Sequence, residues 1–102
     1  MIFDGHSDLL YDVTRRRLAG ENCVLERRHR QKLRKGRIGG LGLSLWVTAE
    51  PDSFWAAYPG WDGWRRTEEM MACARTELAE CPWLVPVRRA AEARKAHGER
   101  KI

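Results

Sequence analysis

A chain of 102 residues with 43% apolar side chains and five tryptophans holds enough material for one core and no more. No run of about 20 apolar residues is present, which excludes a membrane-spanning helix. Nor is there a charged start followed by an apolar stretch and a small-residue cleavage site, so the product is expected in the cytoplasm.

The net charge of +5 is concentrated in Arg15-Arg16-Arg17 and in a second cluster from Arg27 to Arg37. Such a surface suits nucleic acid or acidic partners. The second cluster, however, has no interleaved aromatics and no helix-turn-helix or zinc-finger spacing, so nucleic acid is the weakest of the partner classes. Cys23, Cys73 and Cys81 are odd in number and lack Cys-x-x-Cys spacing. They read as reduced thiols with a packing role.

In chain order, Ile2-Phe3 opens a short buried strand that delivers His6 to its C-terminal end. Two residues on stands Asp8, and on an extended strand residues two apart share a face. Imidazole and carboxylate together suit a divalent metal such as zinc. The competing reading is an N-cap for Asp8 and a satisfied buried histidine for His6. Leu9 to Leu18 has helical spacing and stops at Ala19-Gly20. Glu21 to Gly36 is a polar, basic crossover with a short helical turn near Gln31–Lys35.

Ile38 to Val47 reads as a second strand, in which Leu41, Leu43 and Leu45 alternate with small residues. Its glycines imply close approach of other atoms, and the strand suits a sheet covered on both faces. Thr48 to Gly60 is a loop with a short helix at Ser53–Tyr58. Its aromatics Phe54, Trp55 and Tyr58, with the adjacent Trp61, serve either as a core cover or as a pocket wall. A long helix follows from Asp62 to about Glu80, with Trp64, Met71, Ala74, Leu78 and Cys81 on one stripe. Pro82 ends it, Trp83-Leu84-Val85 is extended, and Pro86 opens a last helix with Val87, Ala90, Ala91 and Arg94 inward. Gly98 closes that helix, and Lys101-Ile102 enters a further strand.

Strand, helix, strand, helix, helix and the lip of another strand imply a parallel α/β sheet. Two parallel strands are not a stable core by themselves. The chain therefore reads as a piece of a larger fold. Its exposed strand and helix faces would favour self-association or pairing with the missing remainder.

Asp4-Gly5-His6-Ser7-Asp8-Leu9 resembles the Asp-Gly-His-x-Asp-Leu opening of the membrane (renal) dipeptidases, peptidase family M19. Lys32-Leu33-Arg34-Lys35-Gly36-Arg37-Ile38-Gly39-Gly40 is similar to that family's Leu-Arg-x-Gly-x-Val-Gly-Gly segment. Gly98-Glu99-Arg100-Lys101-Ile102 looks like the stretch leading into its third strand. The resemblance implies the N-terminal part of a (β/α)8 TIM-type barrel, with two zinc ions at the C-terminal ends of the strands. It also implies hydrolysis of a dipeptide substrate by metal-activated hydroxide, with His6 and Asp8 as ligands of one zinc and Tyr11 near the substrate pocket. The glutamate that bridges the metals in that family, and its two later histidines, have no counterpart in these residues. The chain alone is therefore expected to be inactive, since catalytic zinc sites normally supply three protein ligands.

Overall fold

The computed structural model describes residues 1–48 and 50–102. Ala49, inside the predicted loop, lies outside them. Among the described residues each of two strands is followed by two α-helices: β1 (Ile2–Ser7), α1 (Leu9–Leu18), α2 (Arg30–Lys35), β2 (Ile38–Leu43), α3 (Gly63–Glu80) and α4 (Ala90–Gly98). A π turn at Leu25–His29 leads into α2, and a 3-10 turn at Phe54–Ala57 precedes α3. β1 and β2 pair in parallel, so the chain is a mixed α/β fold, as the alternation of patterns implies. No helix among the described residues is long and apolar enough to cross a membrane.

α1 is the shared wall of two cores. Val13 meets Val24, Leu25, Cys73, Cys81 and Leu84, with Leu9 alongside. Leu10 meets Trp55 and Met70, with Tyr11, Phe54, Tyr58 and Trp61 around them. The loop aromatics thus cover a core, and Trp55 is wholly buried. Burial raises the Cys73 thiol and pushes Cys81 up to about 11, so both cysteines pack as neutral apolar groups.

Four details differ from the sequence expectation. β1 is not a buried strand: Ile2 is 52% and Phe3 69% exposed, because β1 pairs with β2 alone in a two-stranded sheet that buries neither side chain. The buried face of α3 is Met70, Cys73 and Glu77, flanked by Ala74 and Leu78. Trp64 is 73% exposed and Met71 also faces out. The cause is a buried carboxylate: hydropathy alone does not put Glu77 on an inner stripe, and its ion pair with Arg17 (Nη1 to Oε2 2.8 Å) does. α4 begins at Ala90 rather than near Pro86, because Glu92 accepts from the N–H groups of Arg88 and Arg89 and fixes the first turn there. Its buried residue is Ala96, while Ala90, Ala91 and Arg94 are exposed. Finally, β2 stops at Leu43 rather than Val47.

The basic clusters are also less free than their sequence implies. Arg15 and Arg16 pair with Asp12, Arg17 with Glu77 and Glu80, Arg28 with Glu21, and Arg30 with Glu26. Much of the Arg15–Arg17 charge is therefore spent inside the fold.

Candidate metal centre

The register of the sheet builds the site. Asp4 lies opposite Leu41 and Ser7 opposite Leu43, so Gly5 and His6 together face the single residue Gly42. This is a bulge in β1, a device that re-aims a side chain at a strand end. Gly42 makes it possible: a Cβ there would lie 2.5 Å from the Gly5 carbonyl oxygen. The His6 N–H donates to Asp4 Oδ1 (3.1 Å), which fixes the bulged backbone.

His6 Nε2 and Asp8 Oδ1 then meet at 3.2 Å, with side chains 73% and 56% exposed. Asp8 occupies the N-cap position of α1, yet its side chain makes no capping hydrogen bond. Asp62, at the same position of α3, behaves in the ordinary way and accepts from the Arg65 N–H at 2.8 Å. The Asp8 carboxylate instead takes the Ser44 hydroxyl (2.6 Å to Oδ1). Ser44 Oγ also reaches the Ser7 carbonyl (3.0 Å), to which the Ser44 N–H donates at 2.9 Å. The hydroxyl of the residue after β2 thus holds the carboxylate after β1. That hydrogen bond, with the neighbouring His6, keeps the Asp8 carboxyl below its ordinary value despite some desolvation.

Periodicity and spacing do not single out Ser44. The signal was available, because it is the one polar side chain in the otherwise apolar or glycine run from Ile38 to Val47.

An imidazole nitrogen and a carboxylate oxygen that converge on one point, open to solvent, match the donor chemistry of zinc. They are two donors only. Among the described residues no group of three or more His, Cys, Asp or Glu side chains is arranged to hold a metal ion. His29 is engaged elsewhere, with Nε2 2.8 Å from Asp12 Oδ2. The pair fits one flank of a metal site and needs further ligands to close it.

Tyr11 sits one turn into α1. Its ring packs edge-on against Phe54 (centroids 4.8 Å apart) and tilted against Trp46 (5.4 Å). Its hydroxyl accepts the Phe54 N–H at 3.2 Å. The ring is therefore held in place from both sides. No protein-family model, no curated protein and no solved structure matches the chain.

Proposed function

We propose that this chain carries one flank of the metal site of a zinc-dependent dipeptidase of the membrane dipeptidase type. His6 Nε2 and Asp8 Oδ1 would be two ligands of the first zinc. The observation that carries the reading is the freed Asp8 carboxylate: it stands at a helix N-terminus, declines to cap it, and faces His6 at 3.2 Å. On this reading β1 and β2 are the first two strands of a (β/α)8 barrel, whose C-terminal strand ends carry the chemistry. The remaining ligands, including those of a second zinc, come from outside residues 1–102, and the chain alone does not turn over. The complete enzyme would work in the cytoplasm, where the three free thiols stay reduced.

Bound zinc would supply Lewis acidity and lower the pKa of a bound water. The chain's own residues do the positioning. His6 and Asp8 hold the ion, Ser44 keeps the Asp8 carboxylate ionised and oriented, and the fixed Tyr11 ring forms a wall for the substrate side chain. Outer-shell groups of the Ser44 kind are worth roughly 10- to 100-fold in metal affinity.

Calorimetric titration with zinc tests this. Weak binding of one ion is expected, lost in His6→Ala and in Asp8→Asn and weakened about tenfold in Ser44→Ala. Zinc binding that both ligand substitutions leave intact would sink the proposal. Robust zinc-dependent dipeptide hydrolysis by residues 1–102, abolished in His6→Ala, would overturn the part that makes the chain incomplete.

A second reading has its own observation. Ile2 and Phe3 on β1 are exposed, and an apolar groove of about 520 Å³ runs between the sheet, the Leu84–Val87 segment and α4. Exposed apolar strands favour association with another polypeptide, either a second copy or the segment that completes the sheet.

A further inference from the structure

A second site takes shape at the opposite end of the sheet, independent of the metal reading. A hollow of about 280 Å³ is lined by Arg34, Arg37, His97, Arg100 and Lys101, with Trp83 as part of its wall. These residues come from α2, the turn before β2, and the end of α4, so sequence distance hides their convergence. Among the described residues no acidic side chain lines it. Among the described residues Arg34, Arg37, His97 and Arg100 form no ion pair, while Lys101 meets Glu99 at 3.3 Å.

Two of these arginines stand where glycine is the usual choice. Arg37 and Arg100 follow the C-caps of α2 and α4 with φ of 54° and 57°. The Arg100 N–H donates to the His97 carbonyl (3.0 Å) and the Lys101 N–H to that of Ala96 (2.9 Å), the pattern that normally ends in glycine. An L-residue in this region carries strain that glycine lacks. Strained side-chain-bearing positions of this kind cluster at binding sites.

A bland account exists: cations near helix C-termini offset the helix dipoles. Magnitude decides against it as the whole explanation. Each helix end is worth roughly half a negative charge, Glu99 adds one, and Glu26 beside Trp83 is matched by Arg30, whereas Arg34, Arg37, Arg100 and Lys101 supply four positive charges. The hollow stays positive.

We propose that this hollow is a binding site for a small phosphate-bearing anion. Several guanidinium forks around one cavity match a multiply charged oxyanion better than a lone carboxylate, which one arginine satisfies. The cavity holds a phosphate and a few further atoms against the Trp83 ring, and is too small to follow a nucleic-acid backbone.

The test is titration of the chain with inorganic pyrophosphate near 0.15 M salt, with EDTA present to remove metal from His6 and Asp8. Saturable one-to-one binding is expected. Arg37→Gly and Arg100→Gly should each weaken it at least tenfold without lowering Tm, because glycine relieves the backbone at both positions. Arg75→Ala, outside the hollow, should leave it unchanged. Absence of saturable binding would overturn the proposal, and so would equal weakening in all three variants, which means net charge alone. A single-stranded oligonucleotide that binds more tightly than pyrophosphate, with losses spread over all three variants, would also overturn it in favour of a general nucleic-acid surface.

Discussion

Glu77 and His6 are ionisable side chains at opposite extremes of this molecule. Glu77 is wholly buried on α3, accepts from the Leu25 N–H, and pairs with Arg17 Nη1 at 2.8 Å. One turn on, Glu80 takes the same guanidinium at 2.8 Å and the Cys23 N–H at 3.0 Å. Two carboxylates of one helix therefore satisfy backbone donors of the loop after α1, which that loop could not satisfy itself. The His6 side chain, by contrast, is 73% exposed and meets the Asp8 carboxylate at 3.2 Å. The helical half holds the chain together, and the sheet end is left open to solvent.

Breaking the buried side of that contrast has the largest effect. Glu77→Ala leaves the Leu25 N–H without an acceptor and takes one of two carboxylates from Arg17, which keeps Glu80. An unsatisfied buried donor and a lost charge-assisted hydrogen bond together cost about 2–4 kcal/mol, a large share of what a domain of this size possesses. Urea unfolding should show that loss. Glu77→Gln, which keeps a hydrogen-bond acceptor, should lose less. A loss below about 1 kcal/mol for Glu77→Ala would mean that the pair is not the clasp between α1, the loop and α3.

A smaller effect comes from the half-buried rim of the same helical layer. Burial pushes the Asp12 carboxyl up, but hydrogen bonds from Arg15, His29 and Arg16 outweigh it and hold it at about 2, below its ordinary 3.8. A carboxyl depressed in the folded state stabilises above the unfolded value and loses that contribution as pH falls through the folded one. The window is therefore pH 4 down to 2. Solvent screening at this partly exposed site leaves roughly 1 kcal/mol. Asp12→Asn should flatten the fall of Tm across that window, and an unchanged slope would remove Asp12 from the account.

The same contrast explains what was legible in the sequence. α1 and α3 announce themselves through apolar period and stop signals, because they bury side chains at helical spacing. β1 and β2 show through their apolar residues, although none of those is fully buried. The inner face of α3 did not, since its centre is Glu77, and a buried carboxylate is invisible until Arg17, sixty residues earlier, is seen beside it. The π turn at Leu25–His29 is hidden for a related reason: Leu25 is its buried residue, preceded by the buried Val24, within a run otherwise basic and polar. At the candidate site, His6 and Asp8 were named by their spacing. The bulge at Gly5-His6 and the Ser44 hydroxyl were not, because a two-residue period assumes a regular strand and says nothing of cross-strand partners. The convergence of Arg34 and Arg37 with Arg100 likewise needs the third dimension.

The smallest stability effect, and the sharpest statement about the open side, belongs to Phe3. Its ring is 69% exposed and lies opposite Gly40, where a Cβ would come within 2.5 Å of it. β1 thus carries an exposed apolar pair, Ile2 and Phe3, in a two-stranded sheet, an arrangement that is marginal until something covers it. Phe3→Ser removes little that the chain itself buries, so its urea midpoint should shift by less than about 0.5 kcal/mol in stability. Its association should change far more. The wild-type chain, of mass 11.8 kDa, should sediment as a concentration-dependent mixture of monomer and larger species, and Phe3→Ser should shift it toward monomer. If the wild type is a monomer throughout the micromolar range while Phe3→Ser costs more than about 1 kcal/mol, the ring is packed within the chain. The division between a closed helical half and an open sheet would then be wrong.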